Sequence, residues 1–400
     1  MLLAGRPAGM VYCGRDRRVA AHRRARRGGG APHHVPQLFF DLVFVFAITQ
    51  VTTLVLGDAT AGGFARSALV LALVWWAWSA YAWMTNAIDV GSPVVRAGLL
   101  AAAAGSFFMA IALPDAFGGG GIRFAAPYAA VRILNILLYV RGFRHDREHQ
   151  ASVKSLVPFF LLAPAVVLAS GFAGDPWRVS LWGVALAIDL LGALNAGRFV
   201  YRVSPSHFAE RYALFVIIAL GESVVAVGVA AARLELDARL AGAVAVAFVG
   251  VAALWWAYFD FTAGAAERTL QRADQATRGK LARDIFTFCH YPIVAGIILF
   301  AVAGKQAVAH PGEPLDGAGR FSLGAGIALF LLGFVLARYR AIRRIAWERV
   351  GAGAAILLLA LVVDSLAGAA LMGVAVGLLV LALTVEGARL RELRASVRSG

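Results

Sequence analysis

The chain has little charge and almost no cysteine. Only 15% of its 400 residues are Asp, Glu, Lys or Arg, whereas 60% are hydrophobic and the mean hydropathy is +0.74. Soluble domains are about one quarter charged, so this composition is typical of a protein that lies in a lipid bilayer. The two cysteines, Cys13 and Cys289, provide no disulfide framework and have no CxxC or metal-ligand spacing.

Catalytic signatures are absent as well. The chain contains no GxSxG, HExxH or Walker pattern and no paired-acid motif of the DDxxD kind. The glycine run Gly118–Gly121 lacks the strand, the helix and the lysine of a phosphate-binding loop. We therefore expect no catalytic residues, no metal site and no cofactor, and a protein that is not an enzyme.

Long apolar segments follow one another along the chain. A helix needs about 20 mostly apolar residues to cross the hydrocarbon core. Candidate spans cover residues 37–56, 67–86, 95–113, 124–142, 156–172, 179–197, 211–231, 240–262, 285–304, 321–339, 350–364 and 367–386. The last two come from one stretch, which we divide at the polar turn VVDSLAG (Val362–Gly368). The sequence thus predicts an all-α transmembrane bundle of about twelve helices, or eleven without that division.

The basic residues predict the orientation of the bundle. With the N-terminus in the cytoplasm, and with arginines at the cytoplasmic ends of spans counted there, 30 of the 38 Lys and Arg residues fall in cytoplasmic segments and one, Arg132, lies in the middle of a helix. The remaining seven fall in outside loops: Arg66, Arg123, Arg178, Arg233, Arg239, Lys305 and Arg320. This distribution follows the positive-inside rule and places both termini in the cytoplasm. It also explains the net charge of +15 by contact with anionic headgroups of membrane lipids, so we do not expect nucleic-acid binding.

The two ends of the chain differ from the part between them. Residues 1–35 are basic and lack apolar periodicity, which predicts a disordered cytoplasmic tail. The run from Leu38 to Leu56 is longer than the core of a signal peptide, so we expect a retained first helix rather than a cleaved signal. Residues 36–390 form the predicted membrane domain, and residues 391–400 form a short cytoplasmic tail.

The chain also contains a loose internal duplication. VWWAWSAYAW (Val74–Trp83) in the second span resembles LWWAYFDF (Leu254–Phe261) in the eighth, and LVFVFAITQV (Leu42–Val51) in the first resembles FVIIALGESV (Phe215–Val224) in the seventh. These matches predict two six-helix halves, residues 37–200 and 208–388. Because six is even, both halves would share one orientation, an arrangement that transporters use around a central substrate site.

The fourth span carries a polar stripe around its arginine. Tyr128, Arg132, Asn135 and Tyr139 follow one another at helical spacing and therefore share one face. Because lipid would destabilise this face, it is expected to point into the bundle or into a wet cavity.

Two carboxylates are candidate partners of Arg132. Asp189 is central in the sixth span, and Glu222 lies near the middle of the seventh, where the duplication aligns it with Gln50. We expect Arg132, Asp189 and Glu222 to surround a central site, in which the surplus acid is protonated or binds a cation. The alternative is a structural ion pair that only locks the helices together.

A further carboxylate, Asp41, lies one turn inside the first span, in the run QLFFDLVFVFAITQ (Gln37–Gln50). One interpretation is a structural anchor that is reached by water or a loop arginine and stabilised by the helix dipole. The other is a residue at the cytoplasmic mouth of a pathway, because Asp41 and Thr52 share a helix face that leads toward Glu222.

Three stretches resemble one protein family. LFFDLVFVFAITQ at the first span, MAIALPDAFG (Met109–Gly118) after the third, and RYALFVIIALGESVVAVG (Arg211–Gly228) in the seventh are similar to the bacterial low-temperature-requirement A (LtrA) family, over about residues 36–390. The family usually has a glutamate where this chain has Gln37. The resemblance implies a multi-pass protein of the bacterial cytoplasmic membrane with a link to growth in the cold, but it brings no biochemical activity.

The preferred functional hypothesis is a secondary transporter of an unknown small solute, coupled to protons or another cation. The residues predicted to bind the solute or ion are Arg132, Asp189, Glu222, Asp41, Asn135, Tyr128 and Gln50. One alternative is a membrane-embedded enzyme that acts on a lipid or an isoprenoid. The other is a non-catalytic scaffold for membrane stress adaptation, in which the buried charges are purely structural.

Overall fold

A computed structural model describes residues 35–144, 147–196, 203–260 and 263–399, so the predicted disorder of the N-terminal tail lies outside the described residues except at Val35. The helices are α1 Val35–Gly57, α2 Ala61–Ala87, α3 Pro93–Ile111, α4 Gly121–Gly142, α5 Arg147–Ser170, α6 Trp177–Ala196, α7 Pro205–Ala231, α8 Ala238–Phe259, α9 Ala263–Arg272, α10 Gln275–Ala282, α11 His290–Ala309, α12 Gly317–Ile342, α13 Trp347–Val362 and α14 Gly368–Ser399. Within the described ranges there is no β-sheet, only one isolated bridge between Pro314 and Ala367.

The predicted all-α membrane bundle is confirmed. Each of the twelve predicted spans corresponds to one helix, α1 to α8 or α11 to α14. Ten helices of the described part are long and apolar enough to cross a membrane. The apolar part of α5, Leu156–Ser170, and the 16-residue helix α13 are shorter. The parallel repeat and the cytoplasmic position of the termini stay predictions.

The segment between α8 and α11 differs from the sequence prediction. Instead of a loop and the start of a span, it contains α9, α10 and a π-helical turn, Arg283–Phe288. The predicted ninth span, residues 285–304, lies within one apolar helical run, Thr277–Ala309, which includes the π-helical turn and α11. Lys305, which was assigned to an outside loop, lies inside α11 and is half-buried. Hydropathy locates the span, but its C-terminal end lies at Ala309 rather than at residue 304. Helix ends depend on packing contacts that hydropathy does not describe.

Close helix packing requires glycine where α11 crosses α12. A Cβ on Gly326 would lie 2.8 Å from the backbone nitrogen of Phe300, and a Cβ on Gly296 would lie 2.6 Å from that of Phe330. Small residues that let two backbones approach are the usual means of packing helices in membranes, because lipid gives no hydrophobic drive for association. The α11 and α12 helices are therefore packed with their backbones in close contact.

Capping residues mark the end of the bundle that is predicted to face outward. The side chains of Thr60, Asp237 and Asp316 accept hydrogen bonds from backbone amides in the first turns of α2, α8 and α12. These bonds satisfy amides that the helix itself leaves free. In the turn between α1 and α2, hydrogen bonds from the hydroxyl and the amide of Thr60 lower the pKa of Asp58.

A buried arginine organises the loop after α3, which includes the PDAFG stretch. Arg178, assigned to an outside loop by its sequence, is the second residue of α6 and is 6% exposed. Its guanidinium donates to the carbonyls of Ala116 at 3.0 Å, Gly118 at 2.5 Å and Ala173 at 2.7 Å. Because these acceptors are backbone atoms, the loop conformation rather than a partner carboxylate holds this arginine.

Candidate functional site

The intramembrane arginine is held by a single carboxylate. Arg132 on α4 donates from both terminal nitrogens to Asp189 on α6, at 2.7 and 3.1 Å. The two side chains are 2% and 0% exposed. A bidentate guanidinium–carboxylate pair is a strong and directional arrangement, and desolvation makes the loss of one partner costly. Of the two predicted partners, the structure therefore selects Asp189.

The rest of the polar stripe on α4 is less completely bonded. The hydroxyl of Tyr128 and the Nε atom of Arg132 are buried without a hydrogen-bond partner. Asn135 donates to the sulfur of Met84 at 3.6 Å, a weak interaction. Buried polar atoms that lack a partner are exceptional in proteins and commonly mark water or ligand positions.

A cavity opens beside this pair. Its volume is about 100 Å³, enough for several water molecules or one small solute. Its wall combines α2, α4, α5 and α6 of the first half with α10 and the π-helical turn of the second half. Arg132 and Asn135 reach it from one half, and Arg283 and Thr287 reach it from the other. Aromatic side chains, including Trp76 and Trp83, form much of the remaining surface.

The π-helical turn is tied to the aromatic face of α2. The indole of Trp75 donates to the carbonyl of Thr287 at 2.8 Å, and the indole of Trp83 donates to the Thr287 hydroxyl at 2.9 Å. Ser79 and Tyr212 also lie within 3.3 and 2.9 Å of that hydroxyl. Trp75 and Trp83 thus connect α2 to the π-helical turn of the second half by hydrogen bonds. π-Helical turns occur frequently at functional sites.

Asp41 lies in a second buried ion pair. Its Oδ1 accepts from the Nη2 of Arg211 at 2.5 Å and from the indole of Trp78 at 2.8 Å. Arg211 also donates to the hydroxyl of Thr85. The side chains of Asp41 and Arg211 are 1% and 3% exposed. In this conformation Asp41 is therefore buried in an ion pair that holds α1 against α7, and its role at a cytoplasmic mouth stays a prediction.

Glu222 does not join Arg132 and Asp189. Its interaction partners are Thr49 on α1 and, electrostatically, Lys305 on α11, and the residue is 4% exposed. No ion pair within 4.0 Å is formed by this carboxylate among the described residues. Gln50, half-buried, follows Thr49 in the chain and so lies near the depth of Glu222. The predicted trio is thus divided between two places in the bundle.

Several residues of these networks escaped the sequence interpretation, among them Arg211, Arg283 and Thr287. Arg211 was counted as a loop arginine, because the seventh span was predicted to begin at residue 211. The available signal was Pro205, which occupies the first turn of α7 and places Arg211 well inside the helix. Arg283 and Thr287 had no comparable signal, since a π-helical turn has no recognisable sequence pattern.

Within the described part of the chain, no group of three or more His, Cys, Asp or Glu side chains is placed to hold a metal ion. The chemistry that the arrangement supports is binding by buried guanidinium, hydroxyl and amide groups. Such groups beside aromatic walls are typical of sites that hold a small polar molecule away from bulk water.

Comparison with known proteins gives the family. The model for the bacterial low temperature requirement A protein (LtrA) matches residues 36–385. The chain belongs to the LtrA family. It is also 32% identical over 295 residues to the uncharacterized protein RA0937 of Rhizobium meliloti (strain 1021), an alignment that covers 69% of each chain. No solved structure matches the chain significantly. The LtrA resemblance seen in the sequence is confirmed, and this LtrA protein is a multi-pass membrane protein.

Proposed function

We propose that this LtrA protein is a secondary transporter that binds a small solute in the cavity beside Arg132. The observation that carries the proposal is the position of that cavity, between helices of the two halves of the chain. Secondary transporters bind their substrates near midplane where two repeats meet, so that a relative movement of the halves changes the side of access. A bacterial cytoplasmic membrane is the proposed location.

The partly satisfied polar groups support a binding role over a purely structural one. A sealed ion pair would need no neighbouring space, whereas Arg132 borders a cavity and retains an unbonded Nε atom. Arg283 on the opposite wall donates to the carbonyl of Ala193 and pairs with Asp284. A solute in this cavity would meet donors from both halves and would couple their positions.

Glu222 is the proposed site of ion coupling. A carboxylate inside a membrane span is costly to ionise unless it is paired, hydrated or bound to a cation. Asp41 and Asp189 have arginine partners, whereas Glu222 has a hydroxyl and a more distant lysine. Proton or cation binding at Glu222 would change its charge without breaking either buried ion pair.

The proposal is tested by access to the cavity from each side of the membrane. Ser79→Cys is introduced into a chain with Cys13→Ser and Cys289→Ser, because Ser79 lines the cavity. A membrane-impermeant thiol reagent is applied to intact cells and to inside-out vesicles. A transporter that alternates its access should be labelled in both preparations.

A matched control is Ser106→Cys in the same background. Ser106 lies on α3, is 1% exposed and does not border the cavity, so it should stay unlabelled. Labelling of Ser79→Cys from one side only, or from neither, would contradict a transporter and favour a scaffold.

The orientation of the chain is a separate part of the proposal. Reporter fusions after Arg147, Arg278 and Arg344 should report the cytoplasm, and fusions near Asp175 and Glu313 should report the outside, because this arrangement places most arginines inside. A reversal confined to the second half would contradict the parallel arrangement of the two six-helix halves.

A further inference from the structure

A second cavity lies at the end of the bundle where α12 ends and α13 begins. Its volume is about 290 Å³, and its wall comes mainly from α9, α12, α13 and α14. It shares no lining residue with the cavity beside Arg132. The proposed transporter therefore makes no use of it, and its occupant requires a separate explanation.

Arginine dominates the charge of this second cavity. Arg268, Arg338 and Arg349 line it together with two carboxylates, Asp260 and Glu386. Glu386 accepts from the Nε of Arg349 at 2.9 Å and lies 4.0 Å from Arg338, so one acid serves two guanidinium groups.

The three arginines differ in how firmly they are held. The Arg349 guanidinium also lies over the ring of Phe334, with 4.7 Å to the centroid, and the residue is 6% exposed. Arg268 forms no ion pair among the described residues. One guanidinium is thus fixed at the cavity wall, while Arg268 and Arg338 retain donors for a further anion.

The backbone adds to the positive potential of this cavity. Ala346, the cap residue before α13, and Arg349, in the first turn of α13, both line it. Ala346, at the cap position, has no side chain that could accept from the amides of this turn, and the one carboxylate of the turn, Glu348, pairs with Arg389. A helix N-terminus attracts negative charge through these amides and the helix dipole.

We infer that this cavity binds a phosphate group, presented either by an anionic phospholipid headgroup or by a free phosphate ion. Arginine is the side chain best suited to phosphate, because its planar donors match two phosphate oxygens. The exposed apolar side chains of Ile342 and Trp347, 55% and 68% exposed, flank the cavity where the chains of a lipid would lie. The same end of the bundle is predicted to face the anionic cytoplasmic leaflet.

The test uses the purified full-length protein in nanodiscs of phosphatidylcholine at fixed ionic strength. Its thermal unfolding is followed while dioctanoyl phosphatidylglycerol or inorganic phosphate is added in separate titrations. A saturable rise in Tm with the lipid alone identifies a headgroup site, and a rise with inorganic phosphate identifies a site for the free ion. Either result supports the phosphate site, and no rise with either overturns it.

The double variant Arg268→Gln/Arg338→Gln should lower the apparent affinity in the titration by about tenfold or more. The reason is that hydrogen bonds between charged groups are stronger than those between neutral groups. Arg349 is left unchanged, since its loss would remove the nearest partner of the half-buried Glu386. The matched control is Arg344→Gln, an exposed arginine at the same end that does not line the cavity. An equal loss in the control would show general surface electrostatics and overturn the proposal. Access of Ser79→Cys to thiol reagents is independent of this outcome.

Discussion

Two ion pairs that are almost fully buried among the described residues, Arg132–Asp189 and Asp41–Arg211, differ in what they join. Arg132–Asp189 joins α4 to α6 inside the first half, and both oxygens of the carboxylate are used. Asp41–Arg211 joins α1 to α7 across the halves; here one oxygen carries the whole interaction, and the Oδ2 of Asp41 and the Nε of Arg211 have no partner. The Nε of Arg132 is unbonded as well, so the difference lies in the carboxylates. The bidentate pair maintains one half, whereas the pair through a single oxygen is a joint between the halves, which we expect to separate at lower cost.

The largest effect is expected from breaking the bidentate pair Arg132–Asp189. Arg132→Leu strands Asp189 in the bundle and should cost about 3–5 kcal/mol of folding stability. The yield of folded protein in fluorescence-detected size-exclusion chromatography should fall accordingly. Adding Asp189→Asn should restore much of that yield, because the uncompensated charge is removed. Rescue by Glu222→Gln in place of Asp189→Asn would contradict the observed pairing.

A smaller effect is expected at the joint between the halves. Asp41→Asn removes the anion from Arg211 but keeps an oxygen that can accept its hydrogen bond, and we expect a loss of about 1–3 kcal/mol. The Tm of the purified protein should fall, and labelling of Ser79→Cys should accelerate as α1 and α7 separate.

The matched control at the joint is Asp115→Asn. Asp115 pairs with Arg123 at the surface, with side chains 52% and 70% exposed. Surface pairs of this kind contribute little, so the Tm should hardly change. Equal losses in the two variants would show that the joint is no stronger than a surface contact.

Hydropathy and basic-residue counts sufficed to predict the helices, because each span must bury its backbone polar groups within itself. The partners of the buried charges could not be predicted in the same way. The sequence predicts water or a loop arginine at Asp41, but it does not predict which arginine: Arg211 approaches from within α7, 170 residues further along the chain. Which carboxylate a guanidinium meets depends on helix rotation and depth, and neither is encoded in local sequence.

The close packing of α11 against α12 leads to a third prediction. Gly326→Ala places a methyl group against the backbone of α11 and should cost about 1–3 kcal/mol by overpacking. Gly351→Ala, in α13, meets no atom within 4 Å and should be neutral or slightly stabilising. Comparison of the two Tm values checks this expectation. Indifference to Gly326→Ala would mean that α11 and α12 can slide apart.

The smallest effect is expected at the π-helical turn. Thr287→Val keeps the shape of the side chain but removes the hydroxyl shared by Trp83 and Tyr212, at a cost of about 1 kcal/mol. Thr384→Val is the control, because the Thr384 hydroxyl is exposed and bonds only its own helix at Leu381. Urea unfolding in detergent measures the difference in stability between the two variants. Equal urea unfolding midpoints for the two variants would mean that the Thr287 hydroxyl does not stabilise the contact between the halves.

The π-helical turn holds one residue more than an α-helical turn of the same rise. If Arg283–Phe288 tightened into α geometry, that surplus residue would pass toward α10, turning the intervening side chains by about 100° and moving them about 1.5 Å along the axis. Arg283 and Thr287 would then leave the cavity wall while α11 stayed in place. A change of helical register in six residues is thus a way to alter the cavity without tilting a single span.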